Sequence, residues 1–167
     1  MGMYPGGNLV KISPTVLAAA YTAGDVIFAK TEIKNAVPSR GGCSLLHGLT
    51  AFLENSASDD DLTFLFFDND TTLGADAGDA GTDITGDEFR AASCIGMMQV
   101  VGSLCPSIGN GRVLGNGVNA GDTAAPLFVK AAEGKTSIWV ACIQHAGTLD
   151  LVDTDSVTIT FGFEYLG

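Results

Sequence analysis

Apolar residues recur at every second position in several stretches of the chain, and that spacing predicts strands rather than helices. The cleanest stretch is at the end. Val157, Ile159, Phe161, Phe163 and Tyr165 share one face, while Ser156, Thr158, Thr160 and Glu164 lie on the other. From Ile27 the pattern is the same, with Ile27, Ala29, Thr31 and Ile33 opposed by Lys30, Glu32 and Lys34. After a turn at Arg40-Gly41-Gly42, the residues Cys43, Leu45, His47, Leu49, Ala51 and Leu53 are expected on one face of a second strand. Leu62 to Phe67 is apolar on both faces, which predicts a central strand covered from both sides.

Other stretches depart from period two. Thr85 and Glu88 have the spacing of a capping box, with Ile84 and Phe89 at the staple positions, so a short helix is expected there, ending near Gly96. Met97 to Val101 reads as a further strand, and residues 102–123 as glycine-rich loop. Residues 126–132 and 136–145 flank Glu133-Gly134-Lys135, the signature of a hairpin. Pro5 and Pro14 break up the first twenty or so residues. Pro14 to Ala20 fits either a turn or two of helix or an extended arm. The expectation is an N-terminal arm (1–20) preceding one domain (21–167), with truncation of the arm leaving the domain folded. Many short strands, one short helix and no repeat of fixed period predict an all-β fold: an antiparallel β-sandwich, jelly-roll-like.

Composition supports a packed domain. Of the 167 residues, 46 % are hydrophobic and 16 % charged, and the 22 glycines suit a chain with many turns. The formal net charge of −11 removes the main source of nucleic-acid affinity and leaves no polybasic membrane patch. Residues 1–7 carry neither a basic n-region nor an apolar h-region, so synthesis and use in a cytoplasm are expected. Cys43, Cys94, Cys105 and Cys142 are widely spaced in apolar runs and read as small hydrophobes, without zinc-site spacing.

Candidate chemistry is sparse. His47 and His145 are the only histidines, and neither has an orienting partner visible in the sequence. Gly109 to Gly115 is glycine-rich but lacks the strand–turn–helix context of a phosphate loop. Asp68, Asp70, Asp76, Asp79, Asp83 and Asp87 are hard oxygen donors suited to calcium. Their spacing is not that of an EF-hand, and a solvated acidic loop at 74–83, removable without unfolding, is the plainer reading. Trp139 lies in a run apolar on both faces, which favours core packing over sugar binding. No catalytic, cofactor or metal residue is assigned, and the chain is expected not to be an enzyme.

Four ordered blocks add a resemblance. Tyr21-Thr22-Ala23-Gly24-Asp25-Val26-Ile27, Ile33-Lys34-Asn35-Ala36-Val37, Gly41-Gly42 and Leu62-Thr63-Phe64-Leu65-Phe66-Phe67-Asp68 resemble a family of small structural proteins of tailed double-stranded DNA phages. Gly134 to Trp139 and Val157 to Leu166 resemble that family's later blocks, so the similarity spans about residues 21–166. Phe28, Cys43-Ser44 and the segment 74–83 depart from the pattern. The resemblance implies a virion component, foremost a capsid decoration or cement protein on the capsid exterior. Its implied partner is the major capsid protein, and its implied state a homo-oligomer, a trimer by analogy. It implies no catalytic residues and no cofactor. A tail, neck or baseplate β domain and a carbohydrate-binding module are the alternatives.

Overall fold

The computed structural model describes residues 6–54, 61–70, 73, 84, 86–102, 105, 107–108, 111–115, 126–151 and 157–166. In chain order the elements are β1 (Gly7–Ile12), β2 (Ala20–Tyr21), β3 (Val26–Ile33), β4 (Cys43–Glu54), β5 (Asp61–Phe67), α1 (Gly86–Ala91), β6 (Cys94–Val100), β7 (Ser107–Ile108), β8 (Gly111–Gly115), β9 (Leu127–Lys130), β10 (Ile138–Ala146), β11 (Leu149–Asp150) and β12 (Val157–Leu166). The pairings between them are antiparallel.

A six-stranded sheet runs β1-β12-β4-β8-β7, with β9 also on β4, and a four-stranded sheet runs β3-β10-β5-β6. β9 pairs with Cys43–Leu46 and β8 with Thr50–Glu54, so the two share one side of β4. Numbering β1, β3, β4, β5, β6, β9, β10 and β12 from one to eight, the sheets read 1-8-3-6 and 2-7-4-5. Two interleaved Greek keys of this order make a jelly roll. The sequence-based expectation of an antiparallel, jelly-roll-like sandwich is met.

The inner faces of the two sheets meet in one core. Phe161 and Ile159 of β12, Leu49, Ala51 and Leu53 of β4, Phe64 and Phe66 of β5, and Val140 of β10 are all buried in it. Phe66 and Phe161 make an edge-to-face contact across the sandwich, with centroids 6.0 Å apart. β5 and β10 are central and buried on both faces. Their outer residues Leu65, Phe67, Trp139 and Ala141 form a second cluster with Leu73 and Ala92. α1 lies over that cluster, with Phe89 edge-on to Phe67. A short helix forms where it is expected, although Thr85, its expected cap, lies outside the described residues; it ends at Ala91 rather than near Gly96, and β6 begins at Cys94, three residues before the expected Met97. Trp139 is core, as the sequence indicates.

Three expectations are corrected by bulges and crossings. The face assigned to β4 holds for Leu49, Ala51 and Leu53 but reverses before them. Gly48 pairs with Gly162 and Leu46 with Phe163, so His47 is an extra residue on β4. Leu46 and Ser44 therefore point inward, and Leu45 and His47 point outward. Glu133-Gly134-Lys135 does make a turn, with Gly134 at φ +78° and the Lys135 N–H donating to the Ala132 carbonyl. Its flanking strands do not pair as a hairpin, because β9 joins β4 while β10 joins β3 and β5. Gly109 to Gly115 contains β8 rather than an irregular loop. Gly111 sits under the Phe52 ring, where a Cβ would come within 2.7 Å of it, so only glycine fits.

The N-terminal residues assigned to an arm contribute to the sheet. β1 pairs with β12 from Gly7↔Glu164 to Ile12↔Ile159 without a register shift. Beyond it the chain stays extended, with Ile12, Pro14 and Val16 buried and Ser13 and Thr15 exposed. Val16 is fully buried in the core. Deleting residues 1–12 is therefore expected to cost about 3–5 kcal/mol of stability, from lost apolar burial and ladder bonds. Urea unfolding checks this, and an unchanged midpoint would show that β1 lies outside the cooperative unit.

Candidate functional site

The structure separates the residues that the sequence offered for chemistry. His47 lies on the outer face of the six-stranded sheet, at the β4 bulge, and its Nε2 pairs with the Glu164 carboxylate of β12. Both side chains are substantially exposed, so the pair contributes little to stability. His145 is exposed near the end of β10 in the other sheet. The signal for the bulge was present in the sequence: Gly48 interrupts an otherwise regular strand, and such a glycine marks a bulge.

Asp68 and Asp70 flank a lysine rather than a cation site. Lys30 Nζ lies 4.0 Å from the Phe67 ring centroid and donates to the Ala92 carbonyl at 3.3 Å and to the Asn69 carbonyl and Oδ1 at 3.4 Å. This lysine ties β3 to the segment after β5 and to the end of α1. Asp87 instead pairs with Arg90 on the exposed face of α1. Asp76, Asp79 and Asp83 lie outside the described residues, as does the loop 74–83. Among the described residues no group of three His, Cys, Asp or Glu side chains is placed to hold a metal ion.

Cys105 and Cys142 are buried, Cys43 and Cys94 half-buried, and all four are free thiols. Burial raises the Cys142 thiol well above its ordinary pKa, which suits a packing residue rather than a nucleophile. A groove of about 320 Å³ lies between the start of β6 and the β9–β10 turn, lined by Asp68, Ile95, Lys130, Ala131, Ala132 and Glu133. Its charged lining residues are Asp68, Lys130 and Glu133.

The most distinctive surface is the outer face of the six-stranded sheet. Leu9 is 78 % exposed on β1 and Phe128 53 % exposed on β9. In register across the sheet, Gly7, Glu164, Leu45 and Phe128 form one row, and Leu9, Gly162 and Gly48 the next. Two apolar prongs thus flank a low glycine floor that carries the His47–Glu164 pair. Sequence reasoning missed this face, because it follows from which strands are neighbours.

No protein-family model matches the chain. No curated protein sequence matches it either. Among solved structures, a turnip yellow mosaic virus chain is similar at 13 % identity and a TM-score of 0.25, covering 98 % of this chain and 82 % of that one. The infectious bursal disease virus VP2 subviral particle is similar at 13 % identity and a TM-score of 0.20, covering 95 % of this chain but 40 % of that one. Both scores are low, and the fold assignment rests on the strand order itself. Among the described residues, no helix is long and apolar enough to cross a membrane.

Lys30 and Tyr21 give opposite pH signatures. Burial is the main cause that lowers the Lys30 pKa below 10.5, against the raising effect of Asp68, Asp70 and Cys94. The folded state therefore binds fewer protons than the unfolded one just below pH 10.5, and stability from this group rises with pH there. Burial is also the main cause that raises the Tyr21 pKa above 10.0, so stability from Tyr21 falls as pH rises above that value. Lys30→Met should abolish the rising contribution and leave the falling one. Urea midpoints of both proteins from pH 8 to 11 test this, and identical pH profiles would contradict it.

Proposed function

We propose that this protein is a structural component of a virus particle, a decoration protein that binds major capsid subunits on the outside of a tailed-phage head. It acts by contact rather than by catalysis. One observation carries the reading: the ordered blocks that resemble the phage family fall on successive parts of the jelly roll. Residues 21–27 lead from β2 into β3, 33–37 form the turn after β3, 41–42 the turn into β4, and 62–68 cover β5. The blocks at 134–139 and 157–166 lead into β10 and make β12. The resemblance therefore follows the framework of the fold and not a single strand motif. Jelly rolls serve in capsids, lectins and cupins alike, so the fold supports the reading without fixing it.

The physical properties suit such a role. The strong negative charge keeps the free protein soluble. Leu9 and Phe128 offer apolar anchors on an outer sheet face, and contacts weak in one copy become strong when many copies engage a repeating surface.

Co-sedimentation of the purified protein with heads and, separately, with tails that lack it tests the proposal. Saturable binding to heads, at a fixed ratio to the major capsid protein, is expected. Phe128→Asp should weaken it about tenfold or more, as for a hydrophobic anchor. Binding to tails alone would move the protein to the tail, neck or baseplate, and binding to neither would overturn the virion reading.

A further inference from the structure

The five edge strands of the two sheets, β1, β7, β9, β3 and β6, are not equivalent. β3 carries register shifts against β10 that break its regularity. β6 is covered at Gly96, where Leu127 of β9 packs so closely that a Cβ would come within 2.5 Å of it. β7 has two residues, and β9, which pairs with β4 alone, has four. β1 has six residues, no proline and no shift against β12.

The direction of its backbone groups follows from one bond. The Tyr165 N–H donates to the Gly6 carbonyl at 2.9 Å, in the same register as the rest of the ladder. In an antiparallel ladder, bonded and non-bonded pairs alternate. Asn8, Val10 and Ile12 therefore bond to β12, while the N–H and C=O groups of Gly7, Leu9 and Lys11 point away from it. Those three residues are exposed, and among the described residues no group bonds to their outward-facing backbone. A long, regular edge with free backbone groups and an exposed leucine is a template for another strand.

We infer that the occupant is the β1 edge of a second copy of this chain, related by a two-fold axis through Leu9. The sequence of the strand is self-complementary in that register. Leu9 meets Leu9 of the second copy on the outer face, and Gly7 meets Lys11. The bonded pairs are those whose groups point outward, so the two sheets join into one continuous sheet of twelve strands, six from each copy. Charge is complementary as well. Lys11 of the second copy faces Gly7, and Glu164 is the next residue in the same row. Gly7 has no side chain to intervene, and two strand spacings, about 10 Å, lie within the combined reach of lysine and glutamate. The pair forms twice. The two Lys11 residues sit about 14 Å apart along the strands, beyond the screening length of about 8 Å. A trimer would require a contact between unlike patches, whereas this edge matches itself. The inference concerns the protein in solution and does not rest on the virion reading.

Sedimentation velocity of the full chain across the micromolar range tests it, with amide exchange as a second readout. The wild-type protein should pass from monomer to dimer, and the Leu9 and Lys11 amides should become protected as it does. Leu9→Pro removes an N–H that faces away from β12, so it should retain the wild-type circular dichroism and stay monomeric. Lys11→Glu should weaken dimerisation about tenfold by placing like charges near each other. A wild-type monomer at every concentration would overturn the inference. So would a dimer that Leu9→Pro leaves intact, or dimerisation without protection of the Leu9 and Lys11 amides.

Discussion

Apart from the β5–β6 pair, successive long strands of this chain change sheets, and that constraint governs the rest of the structure. The first and last strands, β1 and β12, lie side by side, and β12 in turn pairs with β4 along ten residue pairs. Neither sheet consists of a contiguous piece of chain, so neither can form without the other. Most contacts join residues far apart in sequence, which predicts slow folding and a single cooperative unit. The inner apolar faces are what the interleaving brings together: Phe161 and Ile159 from one sheet, Phe64, Phe66 and Val140 from the other.

The same constraint explains where the chain departs from regular pairing. β4 and β12 must stay paired over a long span while their sheet curves around the core. The extra residue at His47 supplies the local bend, and the strand's face reverses there. Leu46 and Leu49 can then both point inward although they are three positions apart, with two residues between them. The bulge also leaves His47 outside, beside Glu164. A histidine that the alternation would bury becomes an exposed member of a polar pair.

Much of the fold was legible because individual strands announce themselves. β12 alternates without interruption from Val157 to Phe163, and β5 is apolar on both faces because it is central. The helix could be read from its capping spacing and staple residues. Partners were less legible than strands. The turn at Gly134 looks like a hairpin turn because local chemistry specifies only the reversal, whereas the destination of each flanking strand depends on the whole topology. β1 was hidden for another reason. Asn8-Leu9-Val10-Lys11-Ile12 buries only its alternate residues against a strand about 150 positions away, and nothing nearby signals that pairing. The outer face with Leu9 and Phe128 was invisible for the same cause, since its rows exist only once β1, β12, β4 and β9 are neighbours.

The proposed working parts of this sandwich lie on an outer sheet face and a strand edge. Its lysine at Lys30 and its second apolar cluster fasten α1 against the four-stranded sheet. The proposed contacts lie instead on the six-stranded sheet, with Leu9 and Phe128 exposed on its outer face. The claim underneath is that both sheets belong to one interleaved core. Amide hydrogen exchange read residue by residue in increasing urea tests it most directly. The account predicts that the bonded amides of β4 and β12 and those of β5 and β10 exchange at one common slow rate, with the same urea dependence as global unfolding. If the amides of one sheet exchanged far faster than those of the other, with little urea dependence, the interleaved core would be contradicted.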